Sequence, residues 1–240
     1  MVDMQSQLIT VEKQSNGLSS TDLFDLVWAV NYQVLLHYGR SAWVTSGLAP
    51  HGHLVSLPQG AAPPTGAWNL ILMDHSDQQG ALGYHEDQNG TGIPYAEVFA
   101  ADAVEDGSTA SAVASHEALE MLADPNVDQV RTRQRSDTHQ VCIVEVSDAV
   151  QGNDHDVGAP EGRATGIKVA DFCLPSWWTM DPASAPYSFR HSVTNSWELA
   201  PQGYISVAPT ADPSAWTEIY GSQMDRLPKW ASRLPRIHST

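Results

Sequence analysis

The segment Ser115-His116-Glu117-Ala118-Leu119-Glu120-Met121-Leu122-Ala123-Asp124-Pro125 sets an imidazole and a carboxylate four residues apart inside an apolar pattern that predicts a helix. Residues four apart share a helix face, so His116 and Glu120 project side by side and can close on one small cation. This is the spacing of the H-E-x-x-H zinc helix with glutamate in place of the second histidine, and Zn²⁺ accepts carboxylate oxygen at about 2.0–2.2 Å. Glu117, adjacent to His116, falls beside such an ion rather than on it. A carboxylate there can take a proton from a metal-activated water and pass it to a leaving amine, which is the general-base position. The chemistry these residues point to is zinc-dependent peptide hydrolysis, with His116 and Glu120 as ligands and Glu117 as the catalytic group.

A catalytic zinc takes three protein ligands and keeps one position open, so a third ligand must come from elsewhere. Glu145 and Asp148 in VCIVEVSDAV follow the helix on a segment that can return past it, and His85 in GYHED is the other candidate. Asp124, about two turns from His116, lies too far along the axis and is expected to hydrogen-bond the chain at the helix exit. His51, His53 and His75 are remote from this helix in sequence and are taken as surface residues. G-x-S-x-G, P-loop and G-x-G-x-x-G motifs are absent, which removes the common serine-hydrolase and nucleotide-binding signatures.

The elements that must position these groups are legible as a coarse pattern. Ser19, Ser20 and Thr21 offer caps for a helix carrying Leu23, Phe24, Leu26, Val27, Val30 and Val34, which Gly39 ends. Ala42–Thr45, Trp68–Met73, Tyr95–Ala100, Val141–Val146 and Ile167–Phe172 predict strands, with a short one at His53–Ser56 and a hairpin from Tyr204–Val207 and Trp216–Tyr220. Residues 77–94 are polar and glycine-rich, as suits a surface loop bordering a site. Ser108 or Thr109 caps the H-E helix, which stops before Pro125. The order helix, strand, strand, strand, H-E helix matches the upper half of zincin metalloproteases, where the strand before the helix lines the cleft.

Taken together, WNLILMDHSDQQGALGYHED, GIPYAEVFA, SHEALEMLADP, VEVSDAV, GIKVADFCLPSWW and GYISVAPTADPSAWTEI are similar to an uncharacterised family of bacterial and phage-encoded proteins. That family has an H-E-x-x-E-M-L-x-D-P helix and resembles zincin-type metallopeptidases. The resemblance runs from about residue 22 to 222. It implies His116 and Glu120 as ligands, Glu117 as base and the Glu145–Asp148 segment as a site element. Where the family has a cysteine before the aspartate of this segment, the present chain has Ser147, which removes a thiol there; Ser188-Phe189-Arg190 likewise replaces an aromatic-cysteine pair.

The expected fold is α/β (α+β): a zincin-like mixed sheet packed by two main helices, with a β-rich C-terminal extension. Residues 1–20 are expected to be a flexible segment, 21–222 one domain, and 223–240 a basic tail. The chain has 240 residues, enough to bury a sizeable core. Twelve Lys and Arg against 28 Asp and Glu give a formal charge of −16, which opposes binding to nucleic acid or an anionic membrane. No apolar run nears the roughly 18 residues that span a bilayer, and the first residues lack the pattern of a secretory signal. Two cysteines, Cys142 and Cys173, form no framework and are expected to be reduced core thiols. The expected partner is a peptide or protein substrate. The alternative is a phage virion or assembly protein, with virion or assembly partners, in which a structural or vestigial metal site clamps the helix.

Overall fold

Ile9, Thr10 and Val11 are all buried, a pattern that an interior strand covered on both faces produces and a free terminal segment does not. They lie in β1 (Gln7–Lys13), where the Thr10 hydroxyl donates to the Trp68 carbonyl at 2.9 Å. The expectation of a flexible stretch through residue 20 is corrected here. The run lacks alternation because both faces are covered, and it therefore resembles polar coil in sequence. The computed structural model describes residues 6–78, 80–87, 91–135, 138–158, 166–179, 184–212 and 214–222. The basic tail expected over 223–240 lies outside them.

Helix α1 (Ser20–Tyr32) starts with a reciprocal cap in which Ser19 and Asp22 bond each other's backbone N–H groups at 3.1 and 3.0 Å. It runs into a π-helical turn, Gln33–Tyr38, ended by Gly39, where a Cβ would sit 2.6 Å from the Leu35 carbonyl oxygen. Ala42–Thr45, expected as a strand, is a single helical turn, α2, because the Ser41 side chain caps it at Trp43 N. The strands β2 (Gly52–Ser56), β3 (Trp68–Met73), β4 (Gly83–Asp87) and β5 (Pro94–Phe99) follow. With β1 they make a five-stranded sheet in the order β2-β1-β3-β5-β4, parallel except for β4 at the edge. Residues 77–94 therefore hold a strand where a loop was expected. Its sequence, GYHED, carries polar groups on both faces and hides the strand periodicity.

After α3 (Ala100–Glu105) comes α4 (Ala110–Ala123), the H-E helix, capped by Thr109 accepting from Ala112 N at 3.1 Å. Every residue of α4 except His116 is buried, so the helix is enclosed on all sides, and its alanines let the surrounding elements come close. Beyond it, β6 (Val130–Arg135) and β7 (Thr138–Ile143) form a hairpin. A 3₁₀ turn at Asp148–Val150 follows, then the short pair β8 (His155–Asp156) and β9 (Lys168–Val169). Only two residues of the expected 167–172 strand are paired, and the strand expected over 141–146 is shifted to 138–143, leaving Glu145 on an unpaired segment. The hairpin of β10 (Tyr204–Pro209) and β11 (Thr217–Tyr220) joins β7 and β6 in a second, antiparallel sheet in the order β11-β10-β7-β6.

The architecture is mixed α and β, with one main core and two small satellite clusters. Ile9, Leu70 and Val98 of the first sheet, Leu119 and Leu122 of α4, and Cys142 and Val207 of the second sheet belong to one apolar cluster. Cys142 and Cys173 are buried and unbridged. Among the described residues no helix is long and apolar enough to cross a membrane. Because β1 is an interior strand, Ile9→Ala should lower unfolding stability by about 2–5 kcal/mol in a urea titration. A segment outside the fold would leave the midpoint unchanged.

Candidate metal centre

Three elements converge on one side of α4. The helix supplies His116, Glu117 and Glu120; β4 supplies Gly83 and His85, which share a strand face because they are two residues apart; the segment after β7 supplies Glu145 and Asp148. That last segment is tied to the helix directly, since Ser147 N–H donates to Glu120 Oε1 at 3.1 Å. The helix is fixed on its other flank by Ser115, whose hydroxyl accepts from Ala170 N at 2.8 Å.

His116 Nε2 lies 3.1 Å from Glu120 Oε1 and 3.1 Å from Asp148 Oδ1. His85 Nδ1 lies 3.6 Å from Glu117 Oε2 and 3.8 Å from Glu120 Oε2, and its Nε2 is 3.8 Å from Glu145 Oε2. Glu120 thus points one oxygen at each imidazole. Two sets of potential donors have the spacing of ligands to a metal ion: His116, Glu117 and Glu120, and His85, Glu120 and Glu145. Imidazole nitrogens with carboxylate oxygens are a donor mixture suited to a borderline divalent cation. Among the described residues no lysine or arginine is ion-paired to these carboxylates; their ion-pair partners are the two histidines.

Burial and mutual repulsion set the protonation of the cluster. Burial pushes Glu120 up to about 7, against the attraction of His116 and with the help of Asp148. Burial, then the charges of Glu120 and Asp148, hold Glu145 well above the usual carboxylate range. For His116, burial favours the neutral ring but is outweighed by the carboxylates of Glu120 and Asp148, so its pKa is raised; His85 is raised in the same way by Glu117 and Glu120. The cation-free cluster therefore retains protons, which a divalent ion would replace.

A cleft of about 330 Å³ opens beside His116, with Glu117, Tyr204, Asp154, Lys168 and Gln202 in its walls. Tyr204 is hydrogen-bonded to Asp148, and burial together with the charges of Asp148 and Glu120 keeps its phenol protonated. No family model, curated protein or solved structure matches this chain. The chemistry of the site is accordingly read from its own geometry.

Of the residues singled out in the sequence, His116, Glu120 and Asp148 are brought together, and Glu117 sits beside them at the cleft. Glu145 meets His85 instead. Asp124 behaves as expected at the helix exit, accepting from Asp128 N and Gln129 N at 3.1 and 2.9 Å. Gly83 and Tyr204 were not legible. A Cβ on Gly83 would meet Glu117 Oε1 and Val113 Cγ1 at 2.7 Å, so the missing side chain is what lets Glu117 occupy its place. Tyr204 reaches the site from a strand 84 positions beyond Glu120 in the chain, and local sequence carries no signal of that.

The raised groups have a defined pH signature. Glu120 and the two imidazoles bind protons in the folded state that the unfolded chain has released, so folding stability falls as pH rises through their folded values. His37 and His155, lowered mainly by burial, have the opposite slope, but only at and below pH 6.5. Chelator-treated protein should therefore melt lower at pH 8 than at pH 6.5, by roughly 3–6 °C for a change of about 1–2 kcal/mol. A saturating divalent cation should reverse the slope, because deprotonated ligands bind it more tightly.

Proposed function

We propose that the protein is a zinc-dependent hydrolase of peptide bonds, its metal held by His116, Glu120 and Asp148. The observation that carries this reading is the position of His116 Nε2, 3.1 Å from an oxygen of each carboxylate, at the wall of a cleft that Glu117 also lines. His116 is the one residue of α4 that is not buried, so this candidate ligand lines the space a substrate would enter. The resemblance of the H-E-x-x-E-M-L-x-D-P helix to zincin-type peptidases supports the same reading. So does a mixed sheet with an antiparallel edge strand, β4, running beside that helix. The surplus of negative charge favours a peptide or protein substrate over nucleic acid.

Held by His116, Glu120 and Asp148, a zinc ion would supply the Lewis acidity that polarises a scissile carbonyl and acidifies water. Glu117 accepts the water's proton as the new carbon–oxygen bond forms, and returns it to the amine nitrogen as the carbon–nitrogen bond breaks. Gly83 leaves the room in which that carboxylate lies. The Tyr204 phenol donates to Asp148 and so orients this carboxylate toward His116, the role that outer partners of metal ligands take.

Glu117→Gln retains shape but removes basicity. Zinc content and melting temperature should stay near wild type while hydrolysis of a peptide library falls by roughly 10²-fold or more. His116→Ala should lose the ion at this site and the activity together. Zinc-loaded wild type that cleaves no peptide in a diverse library would overturn the peptidase reading and favour a structural metal site in an assembly protein.

A further inference from the structure

His85 is the more deeply placed of the two histidines, its side chain only 3% exposed. Its Nε2 is 3.1 Å from the Asp124 carbonyl oxygen. A carbonyl only accepts, so this nitrogen carries the hydrogen and Nδ1 of the neutral ring presents a lone pair. Metal-ligating histidines are fixed in the same way, by donating their other N–H to a backbone carbonyl.

Nδ1 faces the oxygens of Glu117 and Glu120 at 3.6 and 3.8 Å. A charge-assisted hydrogen bond would close to about 2.7–2.9 Å. Donors bound at about 2.1 Å to one tetrahedral ion stand about 3.4 Å apart, much nearer the spacing observed. Glu145 adds a second sign. Its Oε2 is buried and has no hydrogen-bond partner, and it lies 3.8 Å from Nε2, on the other edge of the same imidazole. One donor atom each from His85, Glu120 and Glu145 can be chosen within 4.8 Å of one another.

We propose that His85, Glu120 and Glu145 hold a second divalent cation on the interior side of α4, with Glu120 bridging it to the ion at His116. The proposal rests on the reading of His116, Glu120 and Asp148 as the first site. Glu120 has the required form, since Oε1 faces His116 at 3.1 Å while Oε2 faces His85 at 3.8 Å. A carboxylate shared in this manner suits ions about 3.5–4 Å apart. Charge points the same way: Glu120, Asp148, Asp124 and Glu117 all act on Glu145, and two dications nearly balance these five carboxylates where one leaves a large excess.

The test is a zinc titration of the chelator-stripped, full-length protein, followed by calorimetry and by elemental analysis after gel filtration. Wild type should take up about two equivalents, and His85→Ala, Glu145→Gln and His116→Ala about one each. Uptake of one equivalent by wild type, unchanged in Glu145→Gln, would overturn the second site and leave the first standing; uptake of none would overturn both. Two equivalents retained in His85→Ala and Glu145→Gln would place the extra ion elsewhere and also overturn the proposal. Glu145→Gln keeps the shape of the side chain and carries the test should His85→Ala fail to fold. With Mn²⁺ in place of Zn²⁺, wild type should give an exchange-coupled magnetic resonance spectrum and Glu145→Gln the six-line signal of an isolated ion.

Discussion

A carboxylate withdrawn from water must be met by hydrogen-bond donors or positive charge, and the folding of this chain around α4 is organised by that demand at Glu120. The side chain is enclosed, with one oxygen receiving the Ser147 N–H and His116 and the other directed at His85. Those partners come from the segment after β7, from the helix itself and from β4. The two sheets therefore meet across a polar centre as well as an apolar core. Loss of the carboxylate would leave the Ser147 N–H and two imidazoles without their common partner, and a buried group left unmatched costs about 1–3 kcal/mol.

Close approach makes this convergence possible. Small residues along α4 let strands and loops lie against it, and glycines relieve the tightest points. Gly52 faces Leu122, where a Cβ would come within 2.9 Å of the leucine methyls. Gly203 lets β10 pass the 3₁₀ turn so near that a Cβ would lie 2.1 Å from the Ala149 carbonyl oxygen. That second contact brings Tyr204 next to Asp148. The polar chemistry at the cleft thus depends on positions that carry no side chain at all.

The sequence made the helical part of the centre legible because His116, Glu117 and Glu120 belong to a single element whose period is known. It also pointed to Asp148 through chain order, since a carboxylate soon after the helix can return past it. Glu145 was legible as an acid near the site but not as a neighbour of His85, because its side chain faces β4, a strand concealed by polar residues on both of its faces. The hidden β1 has the converse cause. An interior parallel strand is covered on both faces, so Thr10 is as buried as Ile9 and alternation disappears. Capping decided Ala42–Thr45, where Ser41 turns a β-branched run into helix. Tyr204 and Gly83 depend on tertiary approach alone.

The interior place of β1 also bears on the order in which the chain can assemble. Both of its neighbours lie later in the sequence: Ile9 is registered with Leu54 on one side and Trp68 on the other. During synthesis β1 must wait for these partners until β2 and β3 have left the ribosome. Closing those long-range pairings carries the loop entropy that slows parallel sheets. The apolar side chains of Ile9 and Val11 stay exposed throughout that interval, which makes this segment a place for a chaperone to hold until the sheet closes.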